Sequence, residues 1–158
     1  MRNAHKVGVL LLAIALLIVL LLLPRHGQGA QAQEFGDYIV HYNAIATSQL
    51  QAPIAKQYGI ERSEHRGLLN IAVEKVADGN KHEGATRMVN AEVRAEVSDL
   101  TGHKQPIALR ETEENGDVDY LGDFPLSGSG AYIFTVKVTP PGHTQPFVVR
   151  FNQDYVVD

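Results

Sequence analysis

Apolar and polar residues alternate along most of the chain from Phe35 onward, and a two-residue period is typical of strands with one buried face. The clearest example is the segment 89–97, in which every odd-numbered position is Val or Ala and every even-numbered position is Asn, Glu or Arg. No long stretch shows the period of an amphipathic helix. The pattern therefore predicts an all-β domain.

Residues that favour turns separate the predicted strands. Asn115-Gly116 is the best hairpin signal, because both residues tolerate the positive φ of a type I′ turn, and Pro53–Tyr58 is the only segment that suggests a short helix. About seven strands are typical of a single antiparallel β-sandwich of immunoglobulin-like size, with a closed barrel as the alternative. The other six strands are predicted at 38–43, 68–74, 107–109, 118–124, 132–138 and 147–157. Three further turns are predicted at Asp78-Gly79-Asn80, Thr101-Gly102 and Pro140-Pro141-Gly142.

The N-terminal segment has the three parts of a signal peptide. Basic residues precede the apolar run Val7–Leu23, and Ala30-Gln31-Ala32 offers the small residues at which signal peptidase cleaves. We therefore expect a signal peptide at 1–32, cleaved after Ala32, and a β-sandwich domain at 33–158 in the periplasm or outside the cell. The alternative is an uncleaved inner-membrane anchor with a periplasmic domain, because the run is long for a signal peptide.

Composition narrows the classes of partner and chemistry. The chain has no Cys, which excludes a thiol nucleophile and a thiolate zinc site. It has 14 Lys and Arg against 18 Asp and Glu, and three of the basic residues lie in the leader, so the remaining domain has a formal charge of about −7. Phosphate contacts need clustered positive charge. We therefore expect no nucleic-acid partner, and membrane contact only through an uncleaved N-terminal segment.

The patterns of catalytic and metal sites are weak. The five histidines after the leader show neither the i, i+2 spacing of a strand site nor the i, i+4 spacing of a helix site, so we expect no metal and no cofactor. Ser127 and Ser129 lack the strand–turn–helix context of a nucleophile elbow. The carboxylates at 111–119 flank an exposed turn, where charges are normally solvated. We therefore expect no catalytic residues and no enzymatic activity.

The most unusual stretch is 57–70 (QYGIERSEHRGLLN), which concentrates charged and aromatic residues before a strand. It is either a recognition loop, with an Arg offered to a carboxylate or phosphate, or a loop whose charges pair with one another while Gly59 and Gly67 form turns. Asn70 is an amide within an apolar strand and can bond a neighbouring backbone group. The candidate binding residues are His41, Asn43, Tyr58, Arg62, His65, Arg66 and Asn70.

Four segments together resemble a known bacterial family. They are FGDY at 35–38, HYNA at 41–44, YGIERSEHRGLLNIAV at 58–73 and FVVRFNQDYVV at the C-terminus. They are similar in order and spacing to the family catalogued as domain of unknown function 4426. This resemblance implies an exported protein with a leader and one β-rich domain, and it implies no activity or cofactor.

Two functions fit these observations. The first is a non-enzymatic binding or accessory module of the cell envelope, which contacts a protein or envelope component through a sheet edge or the Tyr58–Asn70 segment. The second is a periplasmic carrier of a small ligand or metal that uses His41, His65 and Arg66. The second requires these side chains to converge in space, since ligands lie about 2 Å from a metal.

Cleavage of the leader is tested by the intact mass of the exported protein. We expect a chain that begins at Gln33, because Ala30 and Ala32 fit the peptidase pocket. A chain that keeps residues 1–32 and sediments with the membrane fraction would establish the anchored form instead.

Overall fold

A computed structural model describes residues 31–76 and 86–157 of the chain. The predicted leader up to residue 30, the predicted Asp78-Gly79-Asn80 turn and His82 lie outside the described residues. The described part contains one short helix, α1, a 3₁₀ turn at Thr47–Gln49, and ten strands. Their bounds are β1 Gln31–Phe35, β2 Tyr38–Ala46, α1 Ala52–Gln57, β3 Arg66–Val76, β4 Thr86–Met88, β5 Glu92–Ser98, β6 Lys104–Ile107, β7 Arg110–Glu114, β8 Asp117–Pro125, β9 Gly130–Thr139 and β10 Phe147–Tyr155.

The strands form two antiparallel sheets. Sheet A has the order β1-β2-β3-β8-β7, and β4 pairs with the end of β3 beyond β8. Sheet B has the order β10-β9-β5-β6. Their inner faces pack together in a sandwich, which confirms the predicted fold class. No helix within the described ranges is long and apolar enough to cross a membrane.

Alternating residues of both sheets form the main core. Val40, Leu69 and Val73 of sheet A and Phe134 and Val136 of sheet B are completely or almost completely buried. Stacking of Phe134 on Phe151, with ring centroids 4.7 Å apart, ties β9 to β10 within this core. These core residues occupy the alternate positions that the sequence pattern predicts to face inward. Burial of their apolar area holds the two sheets together.

A second, smaller cluster lies on the outer face of sheet A. Leu50 and Ala55, from the 3₁₀ turn and α1, pack with Leu68 of β3 and Leu121 of β8. Leu68 alternates with the core residue Leu69, so it points away from the main core. The segment 47–60 therefore covers one end of the outer face, and among the described residues it leaves the other end open.

The local predictions are largely confirmed. The helix predicted at Pro53–Tyr58 is α1, and Gly59 follows it with φ +62°. Asn115 and Gly116 have φ of 56° and 89° and join β7 to β8 as a tight hairpin. Three strands that alternation does not reveal are also present: β1, β4 and β7 are short and mostly exposed, so they carry no buried stripe.

Two glycines are fixed by close packing. Gly67 is not a turn residue as predicted but lies within β3 opposite Phe124, whose ring occupies the space of a Cβ. Gly122 pairs with Leu69 in the regular β3–β8 register, and a Cβ there would lie 2.6 Å from Ile107 Cγ2. Both positions need the absence of a side chain rather than an unusual φ.

Substitution of Gly67 by Ala tests this packing. Because the new methyl group would overlap the buried Phe124 ring, we expect Gly67→Ala to lower the free energy of unfolding by about 2–3 kcal/mol, measured by denaturant titration. The matched control is Gly128→Ala, where a Cβ meets open space, and its effect should be within about 0.5 kcal/mol. Equal effects of the two substitutions would contradict the assignment.

Candidate functional site

The open end of the outer face of sheet A carries a ring of polar residues around Ala72. Ala72 of β3 pairs with His41 on β2 and with Asp119 on β8. Asn70 and Glu74 lie two residues to either side of it on β3, so they share its face. We call these four polar residues and Ala72 the Ala72 site; the small methyl side chain of Ala72 forms its floor.

His41 and Glu74 form one wall of the site. The His41 Nε2 atom lies 2.7 Å from Glu74 Oε2, and the exposed fractions of the two side chains are 37% and 17%. Burial by itself raises the pKa of Glu74, but hydrogen bonds from Thr86 and His41 and the charge of His41 outweigh it, so the pKa lies below its ordinary value. Glu74 is therefore held as a carboxylate.

Asn70 and Asp119 form the opposite wall. Burial raises the pKa of Asp119, the hydrogen bond from Asn70 opposes this, and the charges of Asp117 and Glu114 add to the rise. The net result is a pKa above the ordinary value. Asn70 Oδ1 is buried and has no hydrogen-bond partner among the described residues. The sequence predicts a hydrogen bond between Asn70 and a backbone group, whereas in the structure the Asn70 side chain donates to the Asp119 carboxyl group.

Acceptors outnumber donors in the Ala72 site. It holds two carboxyl groups and an unpartnered amide oxygen, and the donors to the carboxyl groups are His41, Thr86 and the Asn70 amide nitrogen. Buried acceptors without partners are costly, and like charges nearby make Asp119 costlier still. The chemical complement of this arrangement is a cation.

The structure brings together only part of the predicted set. Asn43 pairs with Asn70 across β2 and β3, so it borders the Ala72 site together with His41. Arg66 lies at the far end of β3, where its guanidinium is paired with Asp123. Its charge is therefore neutralised within the chain, but by a residue of β8 and not by another charge of the 57–70 stretch.

Tyr58 and Arg62 anchor the segment that covers the sheet. The Tyr58 hydroxyl donates to Glu114 Oε2 at 2.8 Å, and burial followed by this bond raises the pKa of Tyr58 to about 12. Arg110 donates to the Tyr58 carbonyl, and Arg62 Nη2 donates to the Ser48 carbonyl at 2.9 Å. These contacts give both residues structural roles.

His65 does not join His41. The partner of His41 on β3 is Ala72, six residues from the first residue of the strand, Arg66. At about 3.3 Å per residue the separation along the strand is about 20 Å. His65 is exposed, and a single metal cannot bridge the two imidazoles. The carrier hypothesis therefore keeps His41 but not His65 or Arg66 at one site.

Local hydrogen bonds account for the two serines that the sequence analysis considers as nucleophiles. Ser127 Oγ lies 3.2 Å from the Tyr132 hydroxyl, and Ser129 Oγ bonds the Val157 backbone. A cavity of about 120 Å³ lies beside Ser127 and His103 and is well below the size of pockets that bind organic substrates. The Asp99 carboxylate in it accepts bonds from Thr101 and the His103 backbone.

Sequence reasoning missed Glu74 and Asp119. The shared even numbering of Asn70, Ala72 and Glu74 on one strand was a usable signal for Glu74. Asp119 could not be found in this way, because it was grouped with the exposed carboxylates around the 115–116 turn, and only the β3–β8 register brings it beside His41. Its half-buried position corrects the expectation that all these carboxylates are solvated.

The energetic cost of ionising the half-buried Asp119 can be measured as a change in the free energy of unfolding. An acid with a raised folded pKa destabilises the fold as pH rises through that pKa, and the penalty is absent below the unfolded pKa. We therefore expect Asp119→Asn to raise the free energy of unfolding by about 0.5 kcal/mol at pH 7, discounted for solvent screening, and to give no gain near about pH 3. Urea titration at both pH values measures this.

The control for that substitution is Glu92→Gln, since Glu92 is an exposed carboxylate on sheet B, away from Asp119. We expect its effect to be smaller and to depend less on pH. A loss of stability in Asp119→Asn at pH 7 would show that the carboxylate is a net stabiliser and would refute the proposed cost.

Comparison with known structures supports the fold and identifies the family. A DUF4426 family protein from Pseudomonas aeruginosa is 33% identical, with a TM-score of 0.63 over 82% of this chain and 97% of that chain. Copper-bound variants of FetP from uropathogenic Escherichia coli and of P19 from Campylobacter jejuni are 14% and 11% identical. Their TM-scores are 0.58 for FetP and 0.57 for P19. The matched region covers 82% of this chain and 96% of the FetP chain, and 80% of this chain and 94% of the P19 chain.

At this identity FetP and P19 show a common fold and no more. A search of the curated proteins finds no match. The family model for the domain of unknown function DUF4426 matches residues 32–158, which is almost the whole of the described domain and confirms the resemblance seen in the sequence. The chain therefore belongs to the DUF4426 family.

Proposed function

We propose that this protein is a non-enzymatic binding module of the cell envelope that holds a divalent transition-metal ion, copper first, at the Ala72 site. The observation that carries the proposal is the set of polar residues around Ala72, where the strand register places one imidazole and two carboxyl groups from three adjacent strands on the same face of sheet A.

The donor chemistry fits such an ion. Imidazole nitrogen suits copper, zinc and iron, and carboxylate and amide oxygens complete the sites of divalent ions. His41 would offer Nε2, Glu74 and Asp119 their carboxylates, and Asn70 its buried Oδ1. Among the described residues, no group of three or more His, Asp or Glu side chains is already arranged to hold a metal ion. Binding would therefore need side-chain movements, with Asp119 leaving Asn70 and His41 Nε2 leaving Glu74.

Met88 supports copper over harder ions. It lies directly across from Glu74 on β4, so its thioether is on the same face of sheet A. Thioether sulfur is a soft ligand that selects copper over calcium or magnesium. FetP and P19, which share the fold, have been solved with copper bound. These observations favour copper as the first metal to test.

The proposal places the domain outside the cytoplasm. The basic N-terminus, the apolar Val7–Leu23 run and the small residues before Gln33 support export. A related fold, FetP, has been expressed recombinantly in the periplasm of E. coli. A carrier in this compartment needs no catalytic base or nucleophile, which fits the structural roles of Ser127 and Asp99.

Copper binding by purified protein tests the proposal. We expect stoichiometric binding of one Cu²⁺ in competition with a chromophoric chelator, and a loss of affinity of at least about tenfold in His41→Gln and in Asp119→Asn. Asp119→Asn is diagnostic because it should weaken metal binding while stabilising the metal-free fold. Removal of the metal with a chelator should lower the melting temperature to that of the metal-free protein.

The matched controls are His103→Gln and Glu92→Gln, which change an exposed imidazole and an exposed carboxylate on or beside the strands of sheet B, away from the Ala72 site. Both should bind copper as the unaltered protein does. Equal copper affinity in His41→Gln and His103→Gln would reject the site, and absence of binding of both Cu²⁺ and Zn²⁺ would reject the function.

A further inference from the structure

We propose that β10 is a self-complementary edge through which two copies of this protein pair antiparallel and join their B sheets into one continuous sheet. β10 is the terminal strand of sheet B and runs from Phe147 to Tyr155. Within residues 31–76 and 86–157, no strand pairs with its outer side. Half of its backbone N–H and C=O groups therefore point away from β9.

The other sheet edges in the described part carry features that prevent pairing. β6 has four residues and contains Pro106 and Lys104, and β4 has three residues. β7 reads RETEE, so two copies would bring acidic residues together, and β1 is a short, exposed strand of five residues. Short strands, Pro and charges are the usual protections of an edge.

β10 lacks these protections. Its register with β9 continues through nine consecutive pairs without a bulge, and no Pro interrupts it. A long, regular edge of this kind is a template for another strand. Arg150 and Asp154 are its outward-facing charges, and neither has an ion-pair partner among the described residues; their neighbours on β9 are the uncharged Thr135 and Ala131.

The outward-facing side chains of this edge are self-complementary about Asn152. From Val148 to Val156 the alternate positions read Val, Arg, Asn, Asp, Val. In an antiparallel pair with a two-fold axis at Asn152, Arg150 of each copy lies opposite Asp154 of the other, and Val148 lies opposite Val156. Each unpaired charge therefore meets its opposite, and two exposed valines meet each other.

Exposed apolar residues are concentrated on this flank. Four large apolar residues of the described chain are strongly exposed, and three of them, Ile133, Val148 and Val156, lie on β9, on β10 or directly after it. Val156 is 78% exposed and Val148 39% exposed. Pairing of two copies would bury both and would satisfy the free backbone groups of the edge. The partner that fits this surface is a second copy of the chain.

The proposed interface is separate from the Ala72 site. β10 belongs to sheet B, whereas the Ala72 site lies on the outer face of sheet A. The dimer would carry two open sites, so its formation does not depend on metal binding, and the failure of either proposal leaves the other standing.

Charge reversal tests the pairing. The full chain, expressed with its N-terminal segment and purified as the host cell processes it, is measured by sedimentation velocity over a concentration series up to about 100 μM. We expect a dimer, and an increase in its dissociation constant of at least about tenfold in Arg150→Asp and in Asp154→Arg, because each places like charges opposite each other twice. The double variant should restore dimerisation to within about threefold of the unaltered protein.

A monomer at all concentrations, single variants that dimerise normally, or a double variant that stays monomeric would each overturn the proposal. Both residues are exposed, and circular dichroism and thermal melting verify that the variants fold. Arg94→Glu is the control, since it reverses an exposed charge on β5, two strands away from the edge, and should leave the dissociation constant unchanged.

A cysteine substitution tests the register. Asn152 lies on the proposed axis, so its two copies are opposite each other at a Cα separation of about 5 Å, within the range of a disulfide. The natural chain has no Cys, and Asn152→Cys should form a covalent dimer when the thiols are oxidised with diamide. Val148 is also exposed on the same strand but lies far from its own copy, so Val148→Cys should not form this dimer. Equal cross-linking of both variants would reject the register.

Discussion

Strand β3 sets the position of almost everything else in the domain. It pairs with β2 on one side and with β8 and β4 on the other, and it is buried on both faces for much of its length. Leu69, Ile71 and Val73 fill the core, while Leu68, Asn70 and Ala72 face outward. A slip of one residue would move Asn70 into the core, so the register is strongly specified. The Phe124 ring over Gly67 fixes it further, since only glycine accepts the ring at that position.

The same register makes one end of the outer face of sheet A apolar and the other end polar. At one end, Leu68 and Leu121 are covered by the segment that contains α1, and Tyr58 closes this cover by its bond to Glu114. At the other end the acceptors around Ala72 are only partly compensated, because the pKa of Asp119 stays raised and Asn70 Oδ1 has no partner among the described residues. Folded domains leave polar groups incompletely satisfied mainly at functional or strained sites. The polar end, rather than the charged loop before β3, is therefore the informative part of this face.

Alternation and turn chemistry predicted the fold because they are local. The strands with a buried stripe, the Asn115-Gly116 hairpin and α1 all follow from residues within ten positions of each other. β4 and β7 were missed because a short exposed strand has no stripe to detect. The site was half predicted: His41, Asn43 and Asn70 border it, whereas Asp119 is placed by a register between strands far apart in sequence. His65 and Arg66 were included because they are near Asn70 in the chain, but a strand separates side chains by about 3.3 Å per residue.

The resemblance to copper proteins and the geometry of the Ala72 site are separate lines of argument, and they do not have equal weight. At 14% and 11% identity, FetP and P19 share an architecture with this domain, and a fold hosts many functions. The case for a cation rests instead on this chain's own residues, where Asp119 is half-buried near Asp117 and Glu114 and its pKa stays raised despite the Asn70 amide and the His41 charge. A bound cation would reverse each of these costs at once, since it favours both carboxylates and accepts the lone pair of Asn70 Oδ1. A site that was only structural would be satisfied more simply by a Lys or Arg in place of His41, and the chain has neither at that position.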